Sequence, residues 1–331
     1  MMRAAVIEKP FQVVVKDVPR PVCGDDQVMI KVHRAAICNM SDWEIYAGTS
    51  VIIDYLGGYP HILGHEQSGE VVEIGKGVRG FEIGDRVTCY WDPGAFAEYS
   101  VFDTKRRAVV KLDDRVSYDQ GALLELAGGG AMRNVFGSGL CPSQMVVVMG
   151  VGPAGLFTGM VTGLCGARAW VALDVVDFRL QKALELGAAA AFNIAEMSRL
   201  ELLDVIQERF GEVDLVFETM GEDKSPDRSS LDPAIDLVKP YGNVRLFSMT
   251  EGPHSFNIGR ALNKGVSLLG TKVSNEDSRN LLDLAQRWVA EGRYPVEKLI
   301  THHIALDDVD KGLRLVHEHP EQAIKVVIDV C

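Results

Sequence analysis

Four side chains with metal-binding chemistry lie in separate parts of the sequence. Cys38 follows an alternating run, His65 and Glu66 stand side by side in "HILGHEQSGEVVEIG", and Glu125 lies within the apolar run "GALLELAGGG". A carboxylate flanked by leucines needs a partner, because burying it unpaired costs several kcal/mol. Thiolate, imidazole and carboxylate are the ligands that zinc prefers, and three of them with an open fourth position make a catalytic site. Although each residue alone is more often structural, the combination predicts a catalytic zinc centre.

A second set of residues is typical of a dinucleotide site. In "VVVMGVGPAGLF", a G-x-G-x-x-G turn joins a buried strand to a helix, and it consists of Gly150, Gly152, Pro153, Ala154 and Gly155. Such a turn presents a helix N-terminus to a pyrophosphate. Asp174 lies 19 residues after Gly155, where a carboxylate accepts hydrogen bonds from a ribose diol and repels a 2′-phosphate. The sequence predicts NAD as the cofactor, and Arg179 keeps NADP open as the alternative.

The patterns around these residues change along the chain. Up to about residue 110, short alternating runs cut by Gly, Pro and Asp predict a small barrel or sandwich. From about residue 117, where Ser117 or Asp119 caps a predicted helix, helices alternate with continuous apolar strands. This alternation predicts a parallel sheet covered on both faces. We expect the segment from about residue 296 to return to the first domain.

Composition excludes several classes of protein. The chain has 331 residues, 47% hydrophobic content and a net charge of −12, which favours two domains and disfavours nucleic acid as a partner. No apolar stretch approaches the roughly 20 residues of a membrane span, and the first residues lack the apolar core of a signal peptide. We therefore expect a cytoplasmic protein with no membrane partner. The six cysteines form no short-spaced pairs, which disfavours a disulfide scaffold.

These motifs together resemble the zinc-dependent medium-chain dehydrogenase/reductase family, which includes alcohol, polyol, threonine and glucose dehydrogenases. "GHEQSGEVVEIGKGV" matches the family's zinc signature, and "GDRV", "GAFAEY" and "LITHHIALDDVDKGLRLV" follow in the family's order. The resemblance implies an α/β fold with two domains. A GroES-like β-barrel catalytic domain would comprise residues 1–125 and 296–331, and a Rossmann domain with a doubly wound parallel sheet would comprise residues 126–295.

The resemblance also implies roles for individual residues. Cys38 and His65 would be zinc ligands, and the third ligand would be either Glu125 or Glu66. A thiolate and one carboxylate neutralise Zn²⁺, whereas a second carboxylate would leave a net negative shell. We therefore expect one glutamate to bind the metal at a time, while the other hydrogen-bonds around it.

The sequence departs from the family's pattern in two places. Only six residues separate Val87 from Gly94, so the lobe that carries four cysteines in many relatives is absent. We expect one catalytic zinc per chain, no structural zinc, and Cys89 as a buried strand residue. The histidine that relays a proton in the alcohol dehydrogenases is also missing, and Ser41 is either a replacement for it or a turn residue.

The resulting prediction is a zinc-dependent NAD(H) oxidoreductase. It would interconvert a secondary alcohol of a polyol, cyclitol or sugar with its carbonyl, by zinc-assisted hydride transfer to nicotinamide. The alternatives are a zinc-free quinone or enoyl reductase, and a non-catalytic nucleotide-binding sensor or structural protein. Relatives pair through an edge strand, for which "GVSLLGT" is the counterpart, so we expect a homodimer or homotetramer. Candidates for lining the substrate site are Asp42, Trp43, Glu44 and Tyr46.

Overall fold

The structure, a computed structural model, describes residues 1–50, 52–220, 230–247, 255–271 and 275–331. The chain divides into two compact units. The first contains Met1–Gly129 and Val273–Cys331, and the second contains Gly130–Lys272. None of the described helices combines the length and the apolar character needed to cross a membrane.

Strands and helices follow one another in the order that the sequence patterns indicate. The strands are β1 (Met2–Lys9), β2 (Gln12–Val18), β3 (Gln27–Ala36), β4 (His61–Ile62), β5 (Glu66–Ile74), β6 (Arg86–Cys89), β7 (Tyr99–Asp103), β8 (Val109–Lys111), β9 (Met145–Met149), β10 (Ala169–Asp174), β11 (Ala190–Asn193), β12 (Val213–Glu218), β13 (Val238–Leu246), β14 (Ser267–Gly270), β15 (Ile300–Ala305) and β16 (Lys325–Asp329). The α-helices are α1 (Ser41–Ala47), α2 (Ile52–Tyr55), α3 (Tyr118–Leu124), α4 (Arg133–Phe136), α5 (Pro153–Leu164), α6 (Asp177–Glu185), α7 (Arg199–Phe210), α8 (Leu231–Leu237), α9 (Ile258–Lys264), α10 (Asn275–Ala290) and α11 (Val309–Glu318). A π-helix spans Glu125–Met132, and 3-10 helices span Val296–Leu299 and Leu306–Asp308.

The first unit is built from largely antiparallel strands. One of its sheets has the order β2-β1-β4, and another has the order β15-β16-β3-β5-β6-β8, with β7 also paired to β3. On β3 the alternating residues Val28, Ile30 and Val32 are buried in a core that includes Val71 and Val87. Burial of these three residues on one face accounts for the period-2 pattern in the first half of this strand. The predicted barrel-like first domain is confirmed.

The second unit contains a parallel sheet of the order β11-β10-β9-β12-β13-β14. Counted from its first strand, this is the 3-2-1-4-5-6 order of the doubly wound dinucleotide-binding fold. All five residues of β9 are buried, as expected for a strand that is covered on both faces. The prediction of a Rossmann sheet is confirmed. The predicted strand "NVRLFSM" ends at Leu246 in β13, and its last two residues, Ser248 and Met249, lie outside the described part of the chain.

Two local features determine where site residues lie. Ser117 caps α3 through a reciprocal pair of hydrogen bonds with Gln120, so the cap is Ser117 rather than Asp119. The chain then continues from α3 into the π-helix, which begins at Glu125. At the C-terminus, β16 pairs with β3 in the register Val327↔Ala36, which brings the last strand beside the segment that leads to Cys38.

Candidate metal and dinucleotide sites

The first candidate ligand, Cys38, lies two residues beyond the end of β3. Its backbone N–H donates a 2.9 Å hydrogen bond to Oδ2 of Asp42, which is 1% exposed in the first turn of α1. Burial raises the pKa of Asp42, although His65 and the Cys38 N–H oppose this shift. The side chain of Asp42 therefore fixes the turn on which Cys38 is carried.

His65 is placed by a tight corner before β5. Gly64 has a φ of +87°, and a Cβ at this position would lie 2.3 Å from the ring of Phe96, so the corner requires glycine. His65 is 8% exposed, and its Nε2 lies 2.9 Å from the hydroxyl of Ser41. Its Nδ1 is buried, and no hydrogen-bond partner for it is found among the described residues. This nitrogen is available to a metal ion.

Cys38, His65 and Glu66 form a compact set of potential ligands. One donor atom from each residue lies within 4.8 Å of the other two. Zinc binds such ligands at roughly 2.0–2.3 Å, which separates tetrahedral ligand atoms by roughly 3.3–3.8 Å. Side-chain movements on the order of 1 Å would bring the atoms to that spacing. Together with the unpartnered His65 nitrogen, this donor set fits a zinc ion.

Glu66, however, already has a strong partner. Nζ of Lys325 lies 2.8 and 2.7 Å from its two carboxylate oxygens and donates a further 2.6 Å hydrogen bond to the carbonyl of Ile37. Both charged side chains are 0% exposed. Burial raises the pKa of Glu66, and the Lys325 ammonium opposes that rise. Breaking the pair would leave an uncompensated buried charge, which is costly.

Glu125 approaches His65 from the start of the π-helix. Its Oε2 lies 3.8 Å from Nδ1 of His65, and Glu125 is 5% exposed. Burial raises the pKa of Glu125 to about 7, with His65 opposing the shift and Glu66 adding to it. Burial alone would lower the pKa of His65, but contact with the Cys38 thiol and the charge of Glu125 hold it well above its usual value. Glu125 is therefore a second carboxylate within reach of the histidine.

A pocket opens beside these residues within the first unit. Its empty space is about 320 Å³ when the open mouth is included. The pocket is lined by Ser41, Asp42, Ile45, Ile52, Leu56, His61, Leu63, Gly64, His65, Trp91 and Pro93. Of the four proposed lining residues, only Asp42 appears in this set. Trp43 instead stacks on His317 with a centroid distance of 3.8 Å, and Tyr46 donates a 2.7 Å hydrogen bond to Asp310.

The glycine-rich turn of the second unit has the geometry that a dinucleotide needs. A Cβ on Gly155 would lie 1.9 Å from the carbonyl oxygen of Gly150, so helix α5 packs too closely on the turn for any side chain there. A Cβ on Gly152 would meet nothing within 4 Å, which leaves space beside the backbone. Pro153 and Ala154 are the first residues of α5, whose N-cap is Gly152. The open space therefore lies at a helix N-terminus, where phosphate binds well.

Asp174 lies at the end of β10, next to this turn. Its Oδ2 accepts a 2.7 Å hydrogen bond from the Val151 N–H, and its Oδ1 accepts bonds of 2.8 and 3.0 Å from the N–H groups of Val175 and Val176. Nε of Arg179 is buried and lacks a partner in the described part of the chain. Burial lowers the pKa of Arg179, and Asp174 opposes that change. Both residues that bear on the choice of cofactor therefore lie beside the turn.

The structure brings most of the predicted site residues together and adds one that the sequence analysis missed. Cys38, Ser41, His65, Glu66 and Glu125 lie in one cluster, and the dinucleotide residues surround the turn after β9. Lys325 was missed, although it lies inside the apolar run "AIKVVID". A charged residue within an apolar run is the same signal that identified Glu125 as a buried carboxylate. Cys89 is 0% exposed in β6, as predicted.

Comparisons with known proteins show which family this chain resembles. A family model described as "Alcohol dehydrogenase GroES-like domain" matches residues 24–114, and one described as "Zinc-binding dehydrogenase" matches residues 153–287. Sorbitol dehydrogenase 2 of Saccharomyces cerevisiae is 30% identical, over 98% of this chain and 97% of its own. L-threonine 3-dehydrogenase of Francisella philomiragia is 27% identical over 98% of both chains. The crystal structure of 2R,3R-butanediol dehydrogenase from Bacillus subtilis is 27% identical and matches 100% of both chains with a TM-score of 0.87.

The chain therefore belongs to the zinc-dependent medium-chain dehydrogenase/reductase family. It is an oxidoreductase of the dehydrogenase class, with a GroES-like domain and a Rossmann domain. The predicted family and fold class are confirmed.

Proposed function

We propose that this protein is a zinc-dependent NAD(H) dehydrogenase that interconverts a secondary alcohol of a polyol, cyclitol or sugar with its carbonyl. The observation that carries the proposal is the set of a partly buried Cys38, a buried His65 and a buried glutamate beside a pocket. When bound, zinc supplies a Lewis acid that lowers the pKa of an alcohol, and the nicotinamide supplies a hydride acceptor. The names of the sorbitol and butanediol dehydrogenase relatives support a polyhydroxylated substrate.

We assign Cys38, His65 and Glu125 as the zinc ligands. Glu66 belongs to the tighter set of donor atoms, but its carboxylate is neutralised by Lys325. Recruiting Glu66 would break that buried pair, whereas Glu125 has no cation other than His65 within ion-pair distance among the described residues. Glu125 also completes a neutral shell with the Cys38 thiolate. Glu66 then keeps Lys325 and the loop ahead of Cys38 in place.

Metal content tests this assignment. Glu125→Gln should lower the zinc bound per chain by tenfold or more at limiting zinc, because ligand loss removes most of the affinity of a three-ligand site. The double substitution Glu66→Gln with Lys325→Met removes the buried pair together and should keep the metal. Cys38→Ala should lose zinc, whereas Cys89→Ala is the matched control. If Glu125→Gln retains zinc and the double variant loses it, the third zinc ligand is Glu66 and not Glu125.

Ser41 is the candidate for moving the proton of the substrate hydroxyl. Ser41 lines the pocket, and its hydroxyl lies 2.9 Å from Nε2 of His65. A serine hydroxyl can accept one proton and donate another without a net change of charge. Ser41→Ala should lower kcat and change its pH profile, whereas Ser41→Thr keeps the hydroxyl. A profile identical to that of the wild type would leave Ser41 with only a structural role at the start of α1.

NAD is the proposed nicotinamide cofactor. The carboxylate of Asp174 is buried beside the turn, where it disfavours a 2′-phosphate and retains capacity to accept a ribose hydroxyl. Titration of nicotinamide fluorescence should give a lower Kd for NADH than for NADPH. If Arg179 instead binds a 2′-phosphate, Arg179→Ala will weaken the binding of NADPH and leave that of NADH unchanged. Tighter binding of NADPH than of NADH would overturn this assignment.

A homodimer or homotetramer is the proposed assembly. Strand β14 lies at the end of the strand order in the described part of the sheet, so its outer edge is available for pairing with a second copy. Light scattering on the purified protein measures the mass directly. A monomer at micromolar concentration would contradict the proposal.

The decisive test of function is NAD⁺ reduction across polyols, cyclitols, aldoses, threonine and simple alcohols, before and after chelation and after zinc is restored. We expect turnover with a polyhydroxylated substrate that disappears with chelation and returns with zinc. Turnover that is indifferent to metal would indicate a zinc-free reductase. NADH binding without turnover of any substrate would indicate a non-catalytic sensor or structural protein.

A further inference from the structure

One histidine in the pocket has no role in the proposed chemistry. His61 lies on the short strand β4, and its backbone position is fixed by pairing with Ile7 on β1. His61 is partly buried and lines the same pocket as Ser41 and His65. Nε2 of His61 is buried and has no hydrogen-bond partner among the residues that the structure describes. Buried polar atoms are nearly always partnered in folded proteins, so an unpartnered one in a ligand pocket points to a ligand atom.

The charges around His61 indicate what kind of atom that is. Burial lowers the pKa of His61, so its imidazole is neutral at physiological pH. The described lining contains the carboxyl group of Asp42 but no lysine or arginine, and most of the remaining wall is apolar, including Ile45 and Leu56. No lysine or arginine among the described lining residues could pair with a carboxylate or a phosphate, and the carboxyl group of Asp42 would oppose either anion. A neutral hydroxyl suits a neutral imidazole, because each can donate or accept a hydrogen bond.

We propose that His61 is a specificity-determining residue that hydrogen-bonds a second hydroxyl of the substrate, distinct from the hydroxyl that is oxidised. The pocket then selects diols and polyols over mono-alcohols, and over hydroxy acids and amino acids. This inference rests on the proposed dehydrogenase function. His61 acts as a positioning group, because binding a second hydroxyl restricts the orientations that the substrate can adopt.

The test compares two probes that differ by one hydroxyl, 2,3-butanediol and 2-butanol. In the zinc-loaded wild-type enzyme, kcat/KM should favour the diol. His61→Phe keeps a ring of similar size without a polar atom, and it should reduce that preference about tenfold, which is the effect of one lost hydrogen bond. The loss should fall on the diol, while kcat/KM for 2-butanol changes by less than about threefold. His61→Gln keeps a donor and an acceptor and should recover part of the preference.

Binding provides a readout that does not need turnover. Saturation-transfer NMR on the chelated protein should show a weaker interaction of 2,3-butanediol with His61→Phe than with wild type, and an unchanged interaction of 2-butanol. If the wild type oxidises none of the polyols, cyclitols, aldoses and simple alcohols, the proposed function fails, while this binding comparison still tests His61. If His61→Phe weakens the binding of both probes equally, His61 only shapes the pocket and the inference is overturned. A larger effect of His61→Phe on threonine than on the diol would overturn it as well.

Discussion

Replacement of Lys325 by methionine tests the part of the site that lies deepest in the first unit. The ammonium of Lys325 makes hydrogen bonds of 2.6, 2.7 and 2.8 Å to the Ile37 carbonyl and to both oxygens of Glu66. Neither charged side chain reaches solvent, since both are 0% exposed. Methionine fills a similar volume but leaves the Glu66 carboxyl group without its cation.

The expected loss of stability is large for a single substitution. Removing one partner of a buried ion pair costs about 3–5 kcal/mol, because the remaining charge is both desolvated and unpaired. A unit of this size loses roughly 2–4 °C in Tm for each kcal/mol. Lys325→Met should therefore lower the Tm of the first unit by about 6–20 °C. Because Lys325 opposes the burial-induced rise in the pKa of Glu66, the substitution should also raise that pKa further.

This loss of stability can be measured by differential scanning calorimetry and by urea unfolding. Both are done with a chelator, so that metal binding does not contribute. Lys105→Met is the matched control. Its Nζ lies 2.8 Å from Oδ2 of Asp26, but the two side chains are 68% and 39% exposed, so the expected change is within about 0.5 kcal/mol. The double substitution Glu66→Leu with Lys325→Met should recover most of the stability, since it leaves no unpaired charge.

Two results would refute this reasoning. One is a loss below about 1 kcal/mol in Lys325→Met, which would mean that the pair is hydrated or weakly coupled. The other is a double variant as unstable as the single one, which would mean that the packing of the lysine stem, and not the unpaired carboxylate, determines the loss.

The remaining predictions concern a buried acid and the dinucleotide turn. Burial raises the pKa of Asp92 to about 6, whereas the same group in the unfolded chain has a pKa of about 3.9. Between these pH values the folded protein holds a proton that the unfolded chain has released. The free energy of unfolding therefore falls as pH rises from about 4 to about 6. Asp92→Asn should remove up to about 3 kcal/mol of that fall, and urea unfolding at both ends of this range will show whether the slope persists. Gly155→Ala should lower the Tm by several degrees, because its Cβ would lie 1.9 Å from the Gly150 oxygen, whereas Gly152→Ala should keep the Tm and weaken NADH binding. Equal loss of Tm in both variants would contradict the roles given to these glycines.

Much of the second unit could be predicted from the sequence because its strands are buried on both faces. A continuous apolar strand such as β9, a glycine turn and an acid at the end of β10 are local signals, and each depends on the backbone nearby. The π-helix is different. At Gly129 a Cβ would lie 2.1 Å from the ring of Tyr90, a residue far away in sequence. Such packing cannot be inferred from the sequence "LAGGG" alone.

The surroundings of the candidate metal site could be predicted only in part for the same reason. Cys38 and His65 belong to a recognisable motif, and a glutamate between leucines suggests a buried carboxylate. The partner of Glu66, however, is 259 residues away, and the pair forms only because β16 lies beside β3. A sequence shows that a buried charge needs a partner, but the strand order determines which residue supplies it.

The hydrogen bonds of Asp174 affect how this enzyme can be re-engineered. The carboxylate that we propose as the acceptor for a ribose also anchors the backbone of the glycine turn through Val151, and it holds the start of the next loop through Val175 and Val176. These bonds hold the turn through the protein's own groups, and a turn that is held in place loses less entropy on binding. Exchanging Asp174 for a small neutral residue to admit NADPH should therefore weaken both cofactors at once, as fluorescence titration would record. A switch of cofactor preference in this chain will need a substitution that keeps an acceptor for the Val151 N–H while removing the negative charge.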